Sequence, residues 1–175
     1  MKLKQFMETN LNEILDIEQS LKYTRSFRLE KIVKDEIKNT TDVFAYEFNY
    51  NNILIGVYHF KRNGNYEIHF YDATNGETSP SGLITNPGIV FTTVFTIFYN
   101  YWSKSGRSIP ILIAYNDDQL FRLYSKYILI VFKKYSIGQY YDLSTIDKVM
   151  TGSGFPAIRI SPKIIKETIN TILDN

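Results

Sequence analysis

The sequence predicts a single α/β (α+β) domain, and three features carry that expectation. The hydrophobic period is helical up to Lys38, alternates from Val43, and turns helical again after Gly88. Arg62-Asn63-Gly64-Asn65 places an Asn-Gly pair between two aromatic-rich runs, the strongest short-range hairpin signal. Ile109-Pro110-Ile111-Leu112-Ile113-Ala114-Tyr115 is a continuous apolar run, which suits a strand covered on both faces.

Taken in order, Leu3, Phe6, Met7, Leu11, Ile14 and Leu15 fall at steps of three and four and predict an amphipathic helix. A shorter, more charged helix follows over Phe27–Lys38, with Leu29, Ile32, Val33 and Ile37 at helical spacing. Asn39-Thr40-Thr41-Asp42 ends it with residues that favour turns. Val43–Phe48 and Ile53–Phe60 read as strands joined at Tyr50-Asn51-Asn52, and Tyr66–Tyr71 completes an antiparallel meander. Asp72–Gly88, with its glycines and prolines, reads as a long loop of a kind that often carries function. Ile89–Ser105 reads as a helix apolar on most faces and ended by Gly106. Its β-branched and aromatic residues are poor helix formers, so context must carry it. Asn116-Asp117-Asp118 offers N-cap side chains to a helix over Gln119–Lys134. Ser136–Met150 is ambiguous, Thr151-Gly152-Ser153-Gly154 is a turn, and Phe155–Ile160 is a last strand. Ser161-Pro162 would then open a final helix with proline at its first position. No repeat or linker divides the chain, so 1–175 reads as one domain.

A chain of 175 residues can bury a core without covalent staples. The absence of Cys excludes disulfides, iron–sulfur ligation and thiol nucleophiles. A net charge of +2 with no basic stripe makes nucleic acid an unexpected partner. No apolar run approaches the ~20 residues of a membrane span. Glu8, Asn10 and Glu13 interrupt the segment after Met1, so no signal-peptide core is expected. The aromatic load is heavy, at 14 Tyr, 12 Phe and 1 Trp, and such a surplus suits both a core and an adhesive surface.

Few side chains form constellations. His59 and His69 lie on neighbouring strands, with Glu67 two positions before His69, a set that could ligate zinc in a favourable register. Without a third His, the expectation is no metal site. Thr151-Gly152-Ser153-Gly154 lacks the Lys that would make it a phosphate loop. Glu18, Glu30, Asp35 and Glu36 alternate with lysines, which reads as an ordinary solvated helix face.

Asn116 directly after the apolar strand, Leu123-Tyr124 on the next helix, and the order of meander, loop, helix, strand and helix together resemble the GNAT acyltransferase superfamily. A narrower likeness, carried by Val90-Phe91-Thr92-Thr93-Val94 and Arg122-Leu123-Tyr124, is to GNAT-like bacteriophage proteins of unknown activity. The resemblance implies a mixed, mainly antiparallel sheet flanked by helices on both faces. In an acyltransferase it would make Tyr124 the general acid, with Asn116 beside it. The backbone of Gly88, Ile89 and Val90 would lie against the acetyl-CoA pyrophosphate. Thr85-Asn86-Pro87-Gly88-Ile89-Val90 stands where that family's glycine-rich cofactor loop belongs, yet has one Gly and a proline without an N–H. No Arg or Lys occurs between Arg62 and Lys104 to meet a diphosphate.

The resulting expectation is a non-catalytic GNAT-like phage protein without a cofactor. It would work through contacts with other proteins, phage structural proteins or copies of itself, in the virion or the host cytoplasm. The alternative is an acetyl-CoA-dependent N-acyltransferase using Tyr124.

Overall fold

The computed structural model describes residues 20–73, 87–105, 108–115, 118–152 and 154–163. The helix expected over Leu3–Leu15, most of the long loop, Asn116, and Ile164 onward lie outside these residues. The elements are β1 (Thr24–Arg25), α1 (Phe27–Glu36), β2 (Thr40–Tyr50), β3 (Ile53–Arg62), β4 (Asn65–Asp72) and α2 (Pro87–Ser105). They continue with β5 (Ile111–Ala114), α3 (Asp118–Lys134), β6 (Tyr141–Met150) and β7 (Pro156–Pro162). The strands form one sheet in the order β1-β2-β3-β4-β5-β7-β6. Only the β4–β5 pair is parallel among them. Helix α1 covers one face, and α2 and α3 cover the other. This is the α+β arrangement expected from the sequence, a mixed and mainly antiparallel sheet with helices on both faces.

Local chemistry builds the meander. Asn51 and Asn52 turn β2 into β3 with φ of 48° and 64°, and Asn63 and Gly64 turn β3 into β4 with φ of 49° and 75°. Two consecutive left-handed residues match the twist of the flanking strands, and Asn and Gly accept that conformation at least cost. Asp42, expected to end a helix, sits at φ 52° where the β2 register shifts between Thr41 and Phe44, and its carboxylate meets Lys61 Nζ at 3.0 Å. Helix α1 begins where the Ser26 hydroxyl accepts the Leu29 N–H and ends at Glu36, two residues earlier than its periodicity implies.

The main core lies between the sheet and the α2–α3 layer. Phe48, Ile55, Val57, Ile68, Ile111, Ile113, Ile158 and Ile160 project from the strands toward Phe91, Phe98, Tyr127 and Phe132. Helix α2 forms despite its composition because Val90 through Phe98 are buried, so packing outweighs weak propensity. Thr93 and Thr96 donate their hydroxyls to Ile89 O and Thr92 O, both at 2.8 Å, which satisfies those buried polar groups inside the helix. At the far end of α2, Trp102 Nε1 donates to Tyr141 Oη, which donates to Ile109 O. A smaller core of Leu29, Val33, Val43, Ala45 and Phe60 lies under α1.

The structure narrows one expectation, corrects a second and resolves one ambiguous stretch. The aromatic surplus was expected to serve both a core and an adhesive surface; among the described residues the rings are buried or half-buried apart from Phe27. Phe27, Ile32 and Met150 are the exposed large apolar side chains among the described residues. Pro162 does not open a helix. Strand β7 runs through it, pairing Ser161 with Asp142 and Pro162 with Tyr141, and a proline at the end of a strand removes little from the ladder. The ambiguous stretch 136–150 holds a short 3-10 turn (Ile137–Gln139) and then β6. Its alternation is hidden because the register shifts between Asp142 and Ile146, where Ser144 donates its N–H and hydroxyl to the Asp142 carboxylate.

Candidate functional site

Of the residues singled out by the resemblance, Tyr124 packs against Phe91, the residue after Gly88–Val90 on α2, while Asn116 lies outside the described residues. Tyr124 faces inward from α3 and is 5% exposed. Its ring packs at 5.4 Å from Phe70 and 5.6 Å from Phe91, by centroids. One turn on, Tyr127 stacks on Phe91 at 4.7 Å, and burial pushes its phenol up to about 12. In the first turn of α2, Gly88 and Val90 are buried and Ile89 is half-buried. Thr93 accepts the Leu21 N–H at 3.0 Å, so the chain ahead of β1 crosses this end of the helix.

A diphosphate needs several free N–H donors or cationic groups in one place. This helix start supplies Pro87, which has no N–H, two buried backbone positions and no cation. The described residues do not fit that group.

The two histidines do not cooperate. Counting across the β3–β4 pair, His59 lies opposite Ile68 while His69 lies opposite Tyr58, so their side chains point to opposite faces of the sheet. His69 Nε2 lies 3.3 Å from Glu67 Oε2, both residues buried on the α1 face. His59 is fully buried on the α2 face, among the rings of Phe44, Tyr46, Tyr66 and Tyr101 at 4.8–5.9 Å. Among the described residues neither of its nitrogens has a hydrogen-bond partner, and the Tyr66 hydroxyl lacks one as well. Burial drives the His59 imidazole down to about 3, with a small opposing pull from Glu30. Among the described residues, no three His, Asp or Glu side chains gather to hold a metal ion.

An open concavity lies on the α1 face, which no sequence motif had singled out. A groove of about 700 Å³ runs between α1 and the β6–β7 turn, with Tyr58 and Tyr71 as its floor. Leu29, Ile32, Val33 and Ile37 form one wall, and Gly152 and Phe155 the other. Glu36, Lys38 and Arg62 also line it. The turn is held by Thr151, which accepts the Gly154 N–H through its carbonyl and the Phe155 N–H through its hydroxyl. Burial pushes the Tyr58 phenol well up, with the nearby Tyr71, Glu36 and Glu67 adding to it, so Tyr58 keeps its proton. Gly56 is the one sequence signal that could have pointed here, since an isolated glycine within a strand marks a close approach. A Cβ at Gly56 would stand 2.9 Å from Tyr71 Cζ. Gly56→Ala is expected to lift Tyr71 into the groove and cost about 1–3 kcal/mol, read from urea unfolding midpoints. The same substitution in a Tyr71→Ala background should cost much less, and an equal cost in both would refute the contact.

No family model, curated protein or solved structure matches the chain. Among the described residues, no helix is long and apolar enough to cross a membrane.

Proposed function

We propose that this chain is a non-catalytic protein of GNAT-like descent that acts through contacts with other proteins, with a bacteriophage virion as its setting. The observation that carries the reading is the position of Tyr124, walled by Phe70 and Phe91 and 5% exposed. A general acid must come within hydrogen-bond reach of the leaving group, and this phenol lies in the core. The order of meander, helix, strand, helix and late strand is the order that the resemblance implies, and supports the descent. Fold likeness alone confers no activity. Two of the exposed apolar side chains, Phe27 and Ile32, stand on α1 and make that helix the natural contact surface.

Calorimetric titration with acetyl-CoA tests the proposal. The expected result is no saturable heat at ligand concentrations up to about 100 μM, a threshold of roughly −5.5 kcal/mol. Binding tighter than that, together with turnover lost in Tyr124→Phe while the fold persists, would overturn it in favour of an acyltransferase.

A further inference from the structure

The turn between β3 and β4 brings two groups together that can react with each other. Asn63 and Gly64 are both exposed, and apart from chain neighbours no heavy atom lies within 4 Å of where a Gly64 Cβ would stand. Among the described residues, neither the Asn63 carboxamide nor the Gly64 N–H has a hydrogen-bond partner. An Asn carboxamide is an electrophile for the nitrogen of the following residue, and glycine offers that nitrogen with no side chain in the way. The Gly64 N gives its proton to water and bonds Asn63 Cγ, and Nδ2 leaves as ammonia, which closes a five-membered succinimide. Water then opens the ring, at Cγ to leave an aspartate or at the backbone carbonyl to leave an isoaspartate.

The hairpin geometry allows this without unfolding. Ring closure needs the Asn63 Cβ to eclipse the Gly64 N across the Cα–C bond, a ψ of about −120° for an L-residue, which is the value in a type II′ turn. A type I′ turn holds that ψ at roughly +30° and keeps the two groups apart. The φ at this position is shared by both turns, and Asn63 already has it, at 49°. A flip of the Asn63–Gly64 peptide therefore interconverts the turns, both of which fit a two-residue hairpin and keep Arg62 paired with Asn65. Gly64, at φ 75°, accepts the opposite sign of φ without a steric cost. The bond that holds this peptide plane runs from Asn65 Nδ2 to Asn63 O and is long, at 3.4 Å. Asn51-Asn52 makes the same kind of turn, with φ of 48° and 64°, but there a residue with a side chain supplies the nitrogen.

We propose that Asn63-Gly64 is a site of spontaneous deamidation, reached by a peptide flip within the folded β3–β4 hairpin. The reaction lowers the formal net charge of +2 by one unit. Its isoaspartate product lengthens the main chain inside a turn whose two-residue length sets the β3–β4 register. The site is independent of the protein-contact reading and of the Tyr124 region.

The test keeps the full chain in mildly alkaline buffer under native conditions and follows chymotryptic peptides by mass spectrometry. The peptide Lys61–Tyr66 is expected to pass through the ammonia-loss mass to a mixture of aspartate and isoaspartate forms, with fragment ions placing the change at Asn63. The peptide holding Asn51 and Asn52 is expected to stay unchanged. Asn75-Gly76 lies outside the described residues and falls in a different peptide. Asn63→Gly, which keeps a residue that accepts positive φ, is expected to abolish the product and retain the fold. Glu30→Ala separates reaction in the folded hairpin from reaction in the unfolded chain, because Glu30 binds Ala45, whose partner Tyr58 lies well up β3 from the turn. Its deamidation rate is expected to match the wild type. The proposal is overturned if Lys61–Tyr66 converts no faster than the Asn51-Asn52 peptide, if the change lies at Asn65, or if Glu30→Ala speeds conversion in proportion to its loss of stability.

Discussion

His59→Phe is expected to stabilise the protein, and to do so more strongly in mild acid than at neutral pH. The imidazole is fully buried in a cage of four aromatic rings, and neither nitrogen is paired among the described residues. An unsatisfied buried polar group costs about 1–3 kcal/mol, and phenylalanine of similar shape removes that cost. The pH dependence follows from the imidazole being driven down to about 3 from its ordinary 6.5. Between those values the unfolded chain binds a proton that the folded chain refuses. Stability is therefore full above pH 6.5 and falls as the pH drops toward 3, by about 1.4 kcal/mol per unit. The groups facing the ring from β2, β4 and α2 are the neutral phenols of Tyr46, Tyr66 and Tyr101, and Glu30 is the one acid that favours the imidazolium. From pH 7 to pH 5 the wild type should lose about 2 kcal/mol more than the variant. Urea unfolding at the two pH values measures this, and equal losses in both proteins would show that His59 is not the acid-sensitive group.

Glu30→Ala is expected to destabilise by about 2–4 kcal/mol, far beyond the effect of a surface glutamate. Glu30 is 4% exposed. Its carboxylate accepts Arg25 Nε at 2.7 Å, Arg25 Nη2 at 3.2 Å and the Ala45 N–H at 3.3 Å. The guanidinium is further held over the rings of Phe27 and Phe44, at 4.7 and 5.1 Å. Burial alone would raise the Glu30 carboxyl, but Arg25, the Ala45 N–H and Lys34 together hold it below its usual value. Its contribution is thus complete above the ordinary carboxylate range and disappears as the pH falls through it. Truncation strands the Ala45 N–H, while the half-exposed Arg25 can turn to water, which keeps the cost below that of a fully buried pair. Glu30→Gln should recover part of the loss by still accepting from Ala45. A cost under about 0.5 kcal/mol for Glu30→Ala would mean that the pair is solvated and the carboxylate dispensable.

Glu30 also marks a limit of reading a sequence by pattern. Among Lys31, Lys34 and Glu36 it reads as one more charge on a wet helix face, and its burial comes from β2 folding back to place Ala45 against it. The two histidines could have been separated without a structure. The two-residue turn at Asn63-Gly64 pairs Arg62 with Asn65, and counting back puts His59 opposite Ile68. The groove was out of reach, because it needs α1, the β3–β4 pair and the β6–β7 turn in place together. Strand β1 was missed for a related reason, since two residues become a strand only by pairing with Tyr46 and Glu47.

The meander strands, the two Asn-containing hairpins, helices α1 to α3, the buried β5 strand and the α+β class were legible from residue order, because period, turn chemistry and apolar runs act over a few neighbouring residues. Tertiary structure alone decided which aromatic rings would enter the core, that Glu30 and His59 would leave water, and that Tyr124 would be enclosed. Those outcomes depend on contacts between residues far apart in the chain, such as Phe70 with Tyr124 and Phe44 with Tyr101. Burial is a property of the assembled layers, and no local pattern encodes which neighbour will arrive to exclude the solvent.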